Sequence, residues 1–499
     1  MKNLAQLLTT RRERSPERRI GLIDDHESFA DLYDRSAGTA AALAETGLAP
    51  GSRVAVIGTN SRDYLQAWTA LQLAGVESAL LNPTYPPRLL GEMLDDLDPD
   101  AVVWVGPDPQ PDLLAQARHL DLRGVTEGEL HIDGVRAEVS PVGPGTGVLG
   151  GFDRAPGDVA GYMHTSGTTG TPKFCRQTQE YFLRLGRYIA DSLLLSPADT
   201  VFAPLPLFHI NPLGYGVVGG LVAGADVLSA SRFSASRFWA DVREAGATAL
   251  ILHAPPVEIL KRATTPVEAA GHRVRIVFFA DHDFLEDFEI PAGVSAYGST
   301  EAGGLCHTWI WRRGDVADLP EGMSRYGGKA RHEVEWRVTD DGEIEVRSSR
   351  PHVLFDGYWK RGELRSPFDE HGWFATGDLG RVDEDGNLVF IERRAESIRV
   401  KGEFVPIGFV EDHFSKVTGV GDVAVWREAS ELVDDDVALF VTGENLDLAA
   451  IRAARDALPA FMRPAVLVRV PTIPRDDGVG KIRRRQLGDV PALERVGLT

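Results

Sequence analysis

Over roughly the first 390 residues, apolar and polar positions switch repeatedly between a helical and a strand-like period. DLYDRSAGTAAALAETGLAPG, from Asp31, predicts an amphipathic helix that stops near Gly47 and Gly51. RVAVIG predicts a strand, and SRDYLQAWTALQLAG a helix with Ser61 as its N-cap. ESALLN and AVVWVG follow as strands. DVLSA, ALILHA and RIVFFA are later strands, with ASRFWADVREAG as a helix between the first two. Such alternation predicts an α/β fold, with stacked and largely parallel sheets flanked by helices.

From about Glu333 the texture changes. HEVEWRVTDDGEIEVRSS and GDLGRVDEDGNLVFIERR predict strand–turn–strand units, with Asp341–Gly342 and Asp385–Gly386 at the turns. After Arg393 come the strand-like DVAVWRE, DDVALFVTG and AVLVRVP and the helical LAAIRAARDALP. The expected division is a large domain over 1–393 and a small α+β domain over 396–499.

Composition narrows the classes. Hydrophobic residues make up 43% and charged residues 25%, which suits a globular protein. No apolar run reaches the length of about 18 residues needed to cross a membrane, and no export signal is read at the start. Net charge is −20, against the basic surface a nucleic-acid binder needs. Only Cys175 and Cys306 are present, so no disulfide framework is expected and a cytoplasmic location fits.

One loop asks for a chemical reason. YMHTSGTTGTPKFC packs glycines and hydroxyls just before Lys173. Glycines permit close backbone approach, and hydroxyls, N–H groups and one cation together form a nest for a phosphate-like anion. The ordinary phosphate loop does not match, because Pro172 precedes the lysine and Phe174 follows it. The residues alone leave two readings, another kind of phosphate binder or a surface turn.

TSGTTGTPK resembles the phosphate-binding signature of the adenylate-forming superfamily, which holds acyl-CoA synthetases, adenylation domains of nonribosomal peptide synthetases and luciferases. YGSTEAGG, WFATGDLG, ERRAESIRVKGEFV and GVGKIRRRQL resemble further motifs of that family, in its order, along nearly the whole chain. LLNPTYP and PLPLFHINPLG match secondary motifs. LPLFHINPLGYGVVGGL followed by RFSASRFW is most similar to the carnitine- and crotonobetaine-CoA ligase type.

The resemblance implies a large AMP-binding domain, a mobile C-terminal lid, and two half-reactions. An acid oxygen attacks the α-phosphorus of ATP, releasing pyrophosphate; a thiol then displaces AMP. Thr165, Ser166, Gly167, Thr168, Thr169, Gly170 and Lys173 would hold the β- and γ-phosphates. Thr300 would contact the α-phosphate, Glu301 would hold Mg²⁺, and Tyr297 with Gly298 would contact adenine. Asp378 and Arg393 would bind the ribose. Lys481 would reach the α-phosphate and the attacking oxygen, and His209 would sit at the mouth of the acid pocket. Arg483, Arg484 and Arg485 read either as a solvated basic face or as contacts to an anionic acceptor.

Four departures from the family pattern stand out. The glycines expected after RIVFFA are absent, and the stretch carrying Asp281, Asp283, Glu286 and Asp287 is short and acidic, which predicts an unusual substrate rather than a long fatty acid. Ala395 occupies the hinge position, Glu392 replaces a glycine, and PRDDGVGK is one residue longer than the family's version. The function expected is an ATP-dependent, AMP-forming ligase joining a small or aromatic acid to CoA or a carrier-protein thiol. The alternatives are a biosynthetic diazotase that uses ATP and nitrite on an aromatic amine, and a nucleotide-binding protein without catalysis.

Overall fold

The structure is a computed structural model that describes residues 1–499 except 86, 107–118, 122–128, 133–134, 139–149, 166–171, 315–325, 394–397, 401–402, 406, 429–435, 459, 477–479, 481 and 499. The chain packs as two compact units. The first holds Met1–Trp336, Glu345–Phe374 and Gly386–Leu388; the second holds Arg337–Ile344, Ala375–Asp385 and Val389–Thr499. The hairpin around Asp385–Gly386 therefore contributes to both.

Two sheets organise the first unit. One runs Tyr326–Ala330, His307–Arg312, Ala292–Tyr297, Ile276–Phe278, Ala249–Ile251, Thr200–Phe202, Asp226–Ser229, Arg19–Leu22 and His26–Ser28. Its centre, from Ala292–Tyr297 to Arg19–Leu22, is parallel. These central strands are buried on both faces and read as unbroken apolar runs such as ALI and IVF. The other sheet pairs Arg53–Gly58, Glu77–Leu81, Ala101–Val105 and Val159–Thr165 in parallel. Lys173–Thr178 then returns antiparallel and Gly357–Lys360 extends the edge.

Helices follow the predicted spacing. Phe29–Glu45 is capped by Ser28, and Arg62–Ala74 by Ser61, whose side chain accepts from the Tyr64 N–H. The latter ends at Gly75 in the left-handed conformation. The glycine-rich INPLGYGVVGGL stretch is helical and buried. A Cβ at Gly216 would stand 2.5 Å from the Ala203 Cβ, so glycine is what lets this helix lie against the sheet.

The second unit has its own core, including Val405, Phe414, Val425, Leu439, Ile451 and Leu467. Val423–Glu428, Asp436–Val441, Val466–Arg469 and Glu494–Gly497 form its sheet, covered by Ile407–Ser415 and Leu448–Ala457. Glu392 has a structural job there, since its Oε2 accepts the Ile407 N–H at the start of a helix at 2.9 Å.

Candidate functional site

Open α/β sheets bind ligands at the carboxyl ends of their parallel strands. Four segments leave such ends in the first unit. PLPLFH follows Thr200–Phe202, His253–Ala254 follows Ala249–Ile251, Phe279–Ala280 follows Ile276–Phe278, and YGSTEAGG begins at the end of Ala292–Tyr297. In the other sheet Thr165 ends its strand, with Lys173 as its register partner across the hairpin.

Aromatic contacts tie the two edges together. The His164 ring lies 5.6 Å from Tyr85 of LLNPTYP and 5.8 Å from His209, edge-on to both, and stacks 6.1 Å from Phe208. Three motifs far apart in sequence thus meet at one imidazole. Neither ring nitrogen of His164 has a hydrogen-bond partner among the described residues, and burial lowers its pKa to about 3.

The YGSTEAGG loop is held by tyrosines that the sequence reading did not single out. The Tyr181 hydroxyl donates to the Thr300 carbonyl at 2.8 Å, and Tyr215 donates to the Gly304 carbonyl at 2.5 Å. Tyr358 donates to Glu301 Oε1 at 3.1 Å. All three phenols are pushed upward, chiefly by burial, so they stay protonated donors. The loop's glycines are demanded by space: a Cβ at Gly298 would lie 2.4 Å from the Gly304 oxygen, and Gly303 and Gly304 both have positive φ. No lone-residue signal marks these tyrosines, because their partners, two backbone carbonyls and one carboxylate, are brought in by the fold.

Pairing explains where Tyr358 points. Cys175 is its register partner and Trp359 opposes Phe174, so strand alternation puts Tyr358 on the face of Lys173 and Cys175. The Lys173 ammonium stands 4.7 Å over the Tyr358 ring, whose hydroxyl bonds Glu301. A cation and a carboxylate therefore flank one phenol. That set suits a magnesium polyphosphate: Lys173 can meet phosphate oxygens and Glu301 can supply a hard carboxylate ligand.

Other expected residues fall differently. Tyr297 is buried at 6% exposure, with its ring edge-on to His307 at 5.9 Å. His307 is itself buried, contacts Cys306 Sγ at 3.3 Å, and has its pKa lowered to about 3 by desolvation. Asp378 lies in the second unit, 5% exposed, beyond Gly377 at φ +74. There the Gly377 N–H donates to Glu343 Oε1 and the Asp378 N–H to Thr376 Oγ1. Arg393 ends the strand Leu388–Arg393 and also falls in the second unit. Ser166, Gly167, Thr168, Thr169, Gly170, Ala395 and Lys481 lie outside the described residues. Of the arginine run, Arg484 is not a solvated charge, because it pairs with Glu411 at 2.8 Å.

The acidic stretch needs a correction. Asp281 Oδ1 caps the helix His282–Asp287 at the Phe284 N–H, while Oδ2 meets Lys261 Nζ at 2.6 Å. Glu286 contacts His282 and the Gly314 N–H. This acidity serves local structure and an ion pair, so it does not by itself mark an unusual substrate.

The pattern of the AMP-binding enzymes matches residues 8–359. The chain belongs to the AMP-binding enzyme family. The likeness to adenylate-forming enzymes is thereby shown, and the α/β class with it. Crotonobetaine/carnitine–CoA ligase of Salmonella heidelberg is 25% identical, covering 87% of this chain and 89% of its own. The 2-succinylbenzoate–CoA ligase of Oceanobacillus iheyensis is also 25% identical, over 96% of this chain and 98% of its own. In fold, o-succinylbenzoate CoA synthetase from Bacillus subtilis, solved with an acyl-adenylate intermediate, superposes with a TM-score of 0.81 at 22% identity and 99% coverage of both chains. That synthetase is also known in complex with ATP and magnesium ion.

Proposed function

We propose that this family member is an ATP-dependent, AMP-forming ligase that adenylates a small or aromatic carboxylic acid and passes the acyl group to CoA. The observation that carries it is the Lys173–Tyr358–Glu301 grouping. The named activities of the relatives above, all acid–CoA ligases or synthetases, support the same reading.

ATP supplies the activated phosphorus, and Mg²⁺ would be held by Glu301 together with phosphate oxygens. Lys173, with Thr165 and the residues up to Gly170, holds the outer phosphates. Thr300, anchored through its carbonyl by Tyr181, meets the α-phosphate. A carboxylate oxygen of the acid attacks that phosphorus and pyrophosphate leaves. Lys481 offsets the charge that builds up, and Asp378 with Arg393 receives the ribose. The thiol sulfur of CoA then attacks the acyl carbon and AMP departs. A carrier-protein thiol is the other acceptor of the same chemistry.

Pyrophosphate release is the test. It is measured with MgATP, a panel of carboxylic acids and CoA, and separately with nitrite and aminoaryl acids. Acid-dependent release with thioester formation is expected. Release only with nitrite and an aromatic amine moves the protein to diazotase chemistry, and nucleotide binding without turnover removes catalysis. Lys481→Ala is expected to bind ATP yet lose about 10²–10³ in adenylation rate. Adenylate formation at the unaltered rate would remove Lys481 from the mechanism.

A further inference from the structure

The loop that carries Thr300 and Glu301 is held at its far end by a buried charge. Arg331 follows the strand Tyr326–Ala330, and its side chain is only 1% exposed. Its backbone N–H donates to the Cys306 carbonyl at 2.8 Å, and its guanidinium donates to the Leu305 carbonyl at 3.2 Å. One residue therefore holds two successive carbonyls just past YGSTEAGG, before the strand His307–Arg312 begins.

The same guanidinium stands 5.0 Å over the Tyr188 ring and donates to Glu333 Oε2 at 2.5 Å. Glu333 Oε1 accepts in turn from Arg184, which also meets Glu180 at 3.1 Å. Tyr181, Arg184 and Tyr188 all lie on the helix Gln179–Ser192. That helix holds the loop at both ends, directly through Tyr181 at the Thr300 carbonyl and through Arg331 at the Leu305 carbonyl. Between these points the Phe355 N–H donates to the Glu301 carbonyl at 3.1 Å.

Such an arrangement is a poor source of stability. A buried guanidinium has to shed its water, and attraction to a carboxylate does little more than offset that cost. The Nε of Arg331 is also buried with no hydrogen-bond partner among the described residues. What arginine supplies, and an apolar side chain of similar size does not, is direction: a planar fork that fixes a carbonyl and a carboxylate at once. Burial works against the charge of Glu333, but its bonds with Arg331 and Arg184 outweigh burial. Its pKa falls below the ordinary carboxylate value, so the carboxylate stays ionised.

We propose that Arg331 is a positioning residue: held by Glu333 and the helix Gln179–Ser192, it fixes the end of the YGSTEAGG loop and so the placement of Thr300 and Glu301 against a magnesium-bound nucleotide. It acts through the loop rather than on the nucleotide. The inference rests on the ligase reading above.

The experiment compares the full-length protein with Arg331→Leu and with Arg331→Leu/Glu333→Gln. The second variant leaves no orphaned carboxylate, and Arg184 keeps Glu180 as its partner. Each protein is melted without ligand, titrated with MgATP at equilibrium, and assayed for pyrophosphate release with a panel of carboxylic acids and CoA. Both variants are expected to melt cooperatively, to bind MgATP about tenfold more weakly with a matching rise in its KM, and to keep the KM for CoA. A role in stability alone would lower the melting midpoint and the amount of active enzyme while leaving Kd and KM for MgATP unchanged, and that result overturns the proposal. Loss of cooperative melting in both variants overturns it as well, because it assigns Arg331 to the fold. If the unaltered protein binds MgATP but turns over no acid, the ligase reading fails while the titration still decides the role of Arg331. An unaltered protein that binds no MgATP overturns both.

Discussion

Tyr358 shows how much one hydroxyl can organise. It bonds Glu301 while its ring faces Lys173, so the carboxylate and the cation are placed by a single side chain. Tyr358→Phe keeps the ring and removes that bond. A hydrogen bond to a charged group contributes about 1.5–3 kcal/mol, so the Mg²⁺ concentration for half-maximal pyrophosphate release should rise about tenfold. An unchanged Mg²⁺ requirement would separate Tyr358 from the carboxylate proposed to hold Mg²⁺. Two histidines set a stability prediction. His164 and His307 are buried neutral, with pKa about 3 against an ordinary 6.5. The unfolded chain therefore binds protons that the folded chain refuses. Stability is full above the ordinary value and falls as pH drops from there toward 3. Between about pH 7.5 and about pH 5.5 each should cost roughly 1 kcal/mol in urea unfolding. His164→Phe should remove about half of that slope, and a slope identical to the unaltered protein's would contradict it.

Elements hold the site through close approach rather than through bulk. The helix carrying Tyr215 reaches the Gly304 carbonyl only because glycines at 216 and 220 let it press against the sheet; a Cβ at Gly220 would lie 2.4 Å from Val227 Cγ2. Gly216→Ala adds one methyl where Ala203 already stands, and overpacking of that kind costs about 1–3 kcal/mol. The expected result is a lower denaturant midpoint together with weaker ATP binding, since the same helix anchors the loop. Lost stability with intact ATP binding would uncouple the two. The hairpin Val159–Thr165 and Lys173–Thr178 acts likewise. Its sequence resembles a phosphate cradle, while its register with Gly357–Lys360 is what delivers Tyr358.

At the scale of the whole molecule, a chain of net charge −20 gathers Lys173 and Glu301 around one phenol. A ligand that binds only the folded state stabilises it by about 2.7 kcal/mol at a concentration of about 100 Kd. MgATP at that level should raise the thermal midpoint by roughly 2–3 °C, and Tyr358→Phe should need more MgATP for the same shift. No shift at saturating nucleotide would count against the site.

The sequence by itself determined the class of fold, the family and the local pieces. Periodicity marked the buried parallel strands, and Ser61 and Gly75 bounded a helix. Those features depend on neighbours a few residues away, which a linear reading reaches. Only the tertiary structure decided that Tyr181, Tyr215 and Tyr358 hold the loop, that Asp281 belongs to Lys261, and that Arg484 belongs to Glu411. Such partners are separated by tens to hundreds of residues. A hydroxyl or carboxylate carries no mark of which distant carbonyl or cation will satisfy it, and burial, which makes the choice costly to leave open, exists only once the chain has folded.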